Sequence, residues 1–191
     1  MTAKQVSFDD EPLILVNEAD EVVGYLDKAS CHVGEGVLHR AFSIFIFNER
    51  GELLLQQRSE QKWLWPLFWS NSCCSHPRKG ETVEAATHRR LQEELGFDVP
   101  LTFLFKFQYH ARFDDRGSEN ELCYVFVGRY NGDVEVNPNE IAAWKWVPVE
   151  VLEAEMRTNP HHFTPWFKME WERIRKEHWH TVEKIIHHAP Q

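Results

Sequence analysis

The stretch from Glu81 to Gly96 constrains the fold more than any other. Val83, Thr87, Leu91 and Leu95 recur every four residues, which predicts one helix over 81–95 with a single buried stripe, and Gly96 supplies its C-terminal stop. A one-striped helix must lie on another layer, and the chain offers strands for it. Phe42–Phe47 reads as a buried strand, and Asn48–Gly51 turns it into a hairpin partner at 52–58. Residues 13–16 read as a short strand turned by 17–20. Over 102–109, strict alternation predicts a strand with Phe103, Phe105, Phe107 and Tyr109 on one face. Further strands are expected at 122–127 and 143–147, a short helix from Pro148 to about Met156, and a longer one over 166–186. Residues 59–79, rich in Trp and Pro, read as loop. Strands and helices mix without a strict βαβ rhythm, so the expected class is a mixed α/β sandwich.

With 191 residues, the chain is expected to form one domain over 12–191 behind a mobile tail at 1–11. Its formal charge of −9 argues against a general nucleic-acid binder, although a few local cations can still hold an anionic substrate. No apolar run approaches the roughly 20 residues of a membrane span, and no leader-like segment opens the chain. Cys31, Cys73, Cys74 and Cys123 show no secreted framework spacing, so a reducing cytoplasm is the expected setting.

Chemistry-bearing residues cluster around the helix. Asn71-Ser72-Cys73-Cys74-Ser75-His76-Pro77 runs directly into it, and the helix ends Arg89-Arg90-Leu91-Gln92-Glu93-Glu94-Leu95. Glu119 and Glu121 share one face if a strand begins there, and two adjacent carboxylates are costly without a cation between them; a solvated turn is the plain alternative. His32 and His39 bracket a segment whose Gly34 and Gly36 disfavour a continuous helix, so the pair is expected to span a loop and a strand start, with His39 leading into the buried strand. Either histidine alone is more often structural. Together with His76, Glu119 and Glu121 they make three imidazoles and two carboxylates, a set suited to Mn²⁺ or Zn²⁺ in a six-coordinate site.

Arg90 and Glu94 lie one helical turn apart, on the border between core and solvent. An i,i+4 ion pair is the simplest reading; alternatively Arg90 holds an anionic oxygen and Glu94 a Mg²⁺ ion. Lys28, Arg58 and Lys62 are candidates for further anion contacts, though each alone reads as a solvated surface charge.

Together the helix, the Cys-Ser-His segment and Glu-Asn-Glu resemble the type I isopentenyl-diphosphate Δ-isomerases of the Nudix superfamily, over roughly residues 12–170. The Nudix box, G-x5-E-x7-R-E-U-x-E-E-x-G-U with U a bulky aliphatic, aligns with Ser75, Glu81, Arg89, Arg90, Leu91, Glu93, Glu94, Gly96 and Phe97. The chain departs twice, with Ser75 for the first Gly and Arg90 for the Glu after Arg. Arginine at that position cannot ligate a cation but can grip a diphosphate, so the exchange weakens hydrolysis and favours retention.

The resemblance implies a Nudix-type mixed-sheet α/β/α sandwich with an additional C-terminal helix. It implies Cys74 and Glu121 as the acid/base pair, with Tyr109 bonded to the catalytic carboxylate. His32, His39, His76, Glu119 and Glu121 would hold one Mn²⁺ or Zn²⁺ per chain. Glu94 and the Cys74 backbone carbonyl would contact Mg²⁺. Lys28, Arg58, Lys62 and Arg90 would hold the diphosphate, and Trp166 would lie over the reacting carbons. The implied substrate is a small prenyl diphosphate, in isoprenoid biosynthesis, for a monomer or weak homodimer with neither nucleic-acid nor membrane partner. A Nudix hydrolase and an inactive binding domain remain as alternatives. Cys73 reads as a small buried residue, Cys31 and Cys123 as core or spare thiols, and His178, His180, His187 and His188 as a solvated face or mobile end.

Overall fold

A computed structural model describes residues 3–188. Its strands are β1 (Pro12–Val16), β2 (Val22–Asp27), β3 (His39–Phe47), β4 (Leu53–Arg58), β5 (Trp69–Ser70), β6 (Cys73–Ser75), β7 (Leu101–Phe113), β8 (Gly117–Arg129) and β9 (Ile141–Val147). Its α-helices are α1 (Lys28–His32), α2 (Val83–Leu95), α3 (Val149–Thr158), α4 (Pro165–Arg173) and α5 (Trp179–His187), the last two joined by a π-helical turn at Ile174–His178.

Strand β3 organises the molecule. Successive strand side chains point to opposite faces, and here both faces are buried from Ala41 to Phe47 and mostly apolar. Phe42, Ile44 and Ile46 pack with Val83, Ala86, Leu91 and Leu95 of α2. Ala41, Phe45 and Phe47 pack with Phe167, Trp171, Val182 and Ile186 of α4 and α5. The result is the expected α/β/α sandwich, with a helical run at the C-terminus as its outer layer.

Strand β3 runs parallel to β8, pairing His39 with Glu121 through to Phe47 with Arg129. Across its other edge it pairs antiparallel with β6, placing Ser43 opposite Cys74. On the far side of β8, antiparallel β7 places Tyr109 opposite Glu121. This register alone gathers His39, Tyr109, Cys74 and Glu121 near one end of the sheet. Strands β9 and β5 flank β4 to form the other wing.

Helix α2 starts at Thr82, whose side chain accepts from the Ala85 amide, and stops at Gly96, which has φ 76°. The buried stripe agrees with the sequence pattern, but Arg90 and Glu94 are buried with it rather than standing on its border.

Four further expectations change. Strand β7 is longer than 102–109, and a bulge at Leu104 reverses the alternation. Phe103 therefore sits against Tyr124 and Phe126 on the α2 side, while Phe105, Phe107 and Tyr109 share the other face. The supposed loop at 59–79 contains β5 and β6. His32 ends a short helix, α1, whose N-cap Asp27 accepts from the Ser30 amide. That helix lies so close to β8 that a Cβ on Gly117 would fall 2.1 Å from the His32 carbonyl oxygen, so only glycine fits. Finally, residues 3–11, read from sequence as a mobile tail, are seated on the body. Val6 is buried, and its carbonyl accepts from both Arg78 and Arg90.

Candidate active site

Three imidazoles converge where α1, β3 and β6 meet. The ring centroids of His32, His39 and His76 lie 4.9–5.4 Å apart. One ligand atom from each of these histidines and one from Glu119 fall within 4.8 Å of one another. Backbone carbonyls orient two of the rings: Nδ1 of His32 lies 2.6 Å from the Lys28 oxygen and Nδ1 of His39 lies 2.7 Å from the Val37 oxygen. A carbonyl only accepts, so Nδ1 carries the hydrogen in both rings. Nε2 of each then faces the carboxylates. His32 Nε2 is 2.9 Å from Glu119, and His39 Nε2 is 3.3 Å from Glu121 and 3.9 Å from Glu119. His76 Nε2 lies 2.7 Å from Glu121.

Burial opposes charge on His32, but Glu119 outweighs it and lifts the ring to about 9. Burial dominates at His76 and lowers it to about 4 despite the Glu121 hydrogen bond. Glu121 is held well below the ordinary carboxylate range, burial being overcome by His39 and His76. His39 Nε2 is buried without a hydrogen-bond partner. Three nitrogens and two carboxylates aimed inward, one nitrogen with no partner, fit a divalent transition ion, which would take the place of the protons the cage otherwise gathers.

His32, His76, Glu119, Glu121, Cys74, Lys28, Arg58, Lys62, Arg90 and Trp166 all line one cavity of about 850 Å³. His39 lies deeper, with no exposure. Tyr109 is buried beneath Glu121 and donates its hydroxyl hydrogen to Oε1. Trp166, on the first turn of α4, packs edge-on against Trp65 with centroids 5.2 Å apart, and Arg58 lies over its ring at 5.3 Å.

The paired cysteines divide as strand geometry requires. Cys73 points into the α2 core and donates its thiol hydrogen to Glu94 Oε2 at 2.9 Å. Cys74 turns the other way, half-buried on the cavity wall. Burial pushes its thiol up to about 12, so it carries its proton at neutral pH. Cys31 and Cys123 are buried thiols.

The cations on the cavity wall are held in place. Arg58 donates to the carbonyls of Trp65 and Leu64 at 3.0 and 2.9 Å. Arg90 donates to Glu94, to Glu93 at 3.2 Å and to the Val6 carbonyl at 3.1 Å. Lys28 bonds Ser7, and Lys62 bonds Glu140. Glu94 stands behind Arg90, both its oxygens occupied by Arg90, Cys73 and Gln56.

Sequence reasoning missed Glu140, the strap residues Gln5, Ser7 and Asp9 on the cavity wall, and Glu170. The turn 137–140 carries no signal beyond polarity. For Glu170 a signal existed: it sits midway between Trp166 and Ile174 at helical spacing, on the buried stripe of α4. Among the C-terminal histidines, His180, His187 and His188 are exposed, whereas the His178 ring stacks on Phe105.

Glu170 is fully buried, accepts from the Ser43 hydroxyl at 2.8 Å, and leaves Oε2 without a partner. Burial pushes its carboxyl well above the ordinary 4.5, against the Ser43 hydrogen bond and with the Glu121 charge. The folded protein thus keeps a proton that the unfolded chain releases, and stability falls as pH rises above the unfolded value. Glu170→Gln keeps an acceptor for Ser43 and removes that loss. Thermal unfolding should find it more stable than wild type at about pH 8, by up to about 1.4 kcal/mol per pH unit crossed, with the gap closing near pH 4. A gap independent of pH would show that no proton is stored there.

Residues 37–167 match the NUDIX domain family profile. The chain is 43% identical to Isopentenyl-diphosphate Delta-isomerase 2 of Photorhabdus laumondii, covering 86% of this chain and 99% of that protein. It is 44% identical to Isopentenyl-diphosphate Delta-isomerase of Serratia proteamaculans, covering 83% and 88%. Among solved structures it resembles DR0079 from Deinococcus radiodurans with a TM-score of 0.65 and 28% identity, over 78% of this chain and 90% of that one. The MutT protein from Methanosarcina mazei gives 0.59 at 22% identity over 73% and 94%, a likeness of fold alone.

Proposed function

The chain belongs to the NUDIX domain family and, within it, to the isopentenyl-diphosphate Δ-isomerases, and on that premise we propose how its residues divide the work. The activity is the interconversion of isopentenyl and dimethylallyl diphosphate, which moves one carbon–carbon double bond by one position and supplies isoprenoid biosynthesis. Protonating the terminal alkene carbon gives a tertiary cation, and removing a proton from the other flank gives the isomer. Because the reaction runs both ways, the group that gives a proton in one direction takes it back in the other.

We assign these two roles to Cys74 and Glu121. The observation that carries the assignment is that both line the same cavity, on different strands, Glu121 buried and Cys74 half-buried. An alkene is a very weak base, so its proton donor must be held close and dry. Tyr109 fixes the Glu121 carboxyl through its hydroxyl. Trp166 offers the cation an indole face, worth about 2 kcal/mol or more when desolvated. Lys28, Arg58, Lys62 and Arg90, on the same cavity wall, would hold the diphosphate, whose binding energy fixes the register of the reacting carbons.

His32, His39, His76, Glu119 and Glu121 are the residues that would hold Mn²⁺ or Zn²⁺; Glu94, buried behind Arg90 and off the cavity wall, would meet a Mg²⁺ ion beside the Cys74 carbonyl only by giving up its Arg90 pair. Such ions would polarise Glu121 and neutralise diphosphate charge. Among the described residues no helix is long and apolar enough to cross a membrane. The four cysteines are free, which supports a cytoplasmic setting; a monomer or weak homodimer is our reading of the assembly.

Incubation with isopentenyl diphosphate and Mg²⁺ in deuterated water, followed by proton NMR, should show dimethylallyl diphosphate and deuterium entering the carbon skeleton. Free phosphate without double-bond movement would overturn the assignment in favour of a Nudix hydrolase. A chelator should abolish turnover, Mn²⁺ or Zn²⁺ should restore it, and metal analysis should find about one transition ion per chain. His39→Ala should lose that ion; full metal content in this variant would sink the cage assignment.

A further inference from the structure

The least expected group in the cationic end of the cavity is an anion. Glu140 lies in the turn before β9, is almost fully buried, and lines the cavity. One of its oxygens, Oε2, bonds Lys62 and also lies 3.2 Å from Arg90 Nη2. Its backbone is anchored independently: the amide donates to the Asn137 carbonyl at 3.0 Å and the carbonyl accepts from the Ser59 amide at 3.0 Å. Its carboxylate is therefore held against the two cations by a rigid turn.

We infer that Glu140 is a built-in stand-in for the diphosphate: it occupies donors of Lys62 and Arg90 and competes with substrate and product for them. The inference rests on the diphosphate reading given above. Three cations line this part of the cavity, Arg90 buried and Lys28 and Lys62 partly so, and like charges there repel unless an anion lies among them. Glu140 offers carboxylate oxygens with the charge and hydrogen-bonding character of phosphate oxygens. Arg90 Nη1 is engaged by Glu93 and the Val6 carbonyl and Nη2 by Glu94, while Nε is buried without a partner, so an arriving diphosphate gains its Nη2 and Lys62 contacts largely at the expense of Glu140. The carboxylate keeps the empty pocket ordered and weakens the grip on product, which must leave for the next turnover.

Glu140→Gln keeps the shape and removes the competing charge. Calorimetric titration with inorganic pyrophosphate and Mg²⁺ should show binding about tenfold tighter than wild type, the scale of one partly screened charge contact. KM should fall with it, while the melting temperature without ligand drops and its rise on adding pyrophosphate grows. Glu140→Asp, which keeps the charge, should bind like wild type. A merely structural Glu140 predicts the reverse, because freed cations would bind pyrophosphate more weakly. Weaker or unchanged binding by Glu140→Gln overturns the inference. If this variant folds poorly, saturating pyrophosphate should restore folding, and failure to do so also overturns it. Lys62→Met separates the two readings: it should weaken pyrophosphate binding, and if it does not, the diphosphate assignment itself falls.

Discussion

Cys74→Ala should abolish double-bond transposition, with kcat lowered by at least about 10²–10⁴-fold, the range of a positioned acid or base, and pyrophosphate affinity nearly unchanged. Cys73→Ala should stay active. The adjacent thiols could hardly be closer in sequence, yet β6 sends them to opposite faces. Cys74 faces the cavity, with Ser43 beside it in register and Trp166 on the same wall. Cys73 has no exposure and is packed with Phe42, Ile44 and Leu91. Its removal leaves a small void and leaves Glu94 Oε2 with only the longer Gln56 bond, a cost of about 1–2 kcal/mol in stability. Steady-state turnover and pyrophosphate titration of both variants separate the roles. An inactive Cys73→Ala with an active Cys74→Ala would mean that the strand register is wrong.

Arg90→Glu should be damaging in two distinct ways. From sequence alone, restoring the hydrolase-like residue is expected to weaken diphosphate binding by a few kcal/mol, as when an attractive charge contact becomes a repulsion. The structure adds a folding cost. Arg90 is 2% exposed and neutralises Glu94, Glu93 and Glu140, while tying down the N-terminal strap through Val6. A glutamate there would face three carboxylates in a buried setting, and breaking such a network costs about 3–5 kcal/mol or more. The melting temperature should therefore fall with affinity, and Arg90→Gln should recover part of the stability but little of the binding. Unchanged pyrophosphate affinity in Arg90→Glu would sink the diphosphate assignment.

The strap shows why part of this site was not legible in the sequence. Residues 3–11 are polar and acidic and carry no periodicity, so a tail is the natural reading. Their order comes from partners more than 70 positions away, Arg78 and Arg90, whose donors need the Val6 carbonyl. Glu140 was hidden for the same reason: a glutamate in an Asn-Pro-Asn-Glu turn looks solvated until Lys62 and Arg90 are brought against it. Phe103 was misassigned because alternation assumes an unbroken ladder, and the bulge at Leu104 depends on pairing with β8.

The sequence by itself determined the elements with strong periodicity and the residue types of the chemistry. The stripe and stop of α2, the buried strand β3, the Cys-Ser-His and Glu-Asn-Glu segments, and the arginine standing where the Nudix box has a glutamate are all properties of local spacing. Only the tertiary structure decided which groups meet. The parallel register of β3 on β8 sets His39 beside Glu121, and the antiparallel register of β6 on β3 turns Cys74 rather than Cys73 toward the cavity. The same assembly buries an anion, Glu140, against Lys62 and Arg90. Local pattern is written in neighbours along the chain, whereas charge compensation and strand register arise from contacts between distant segments, whose energies exist only once the chain has folded.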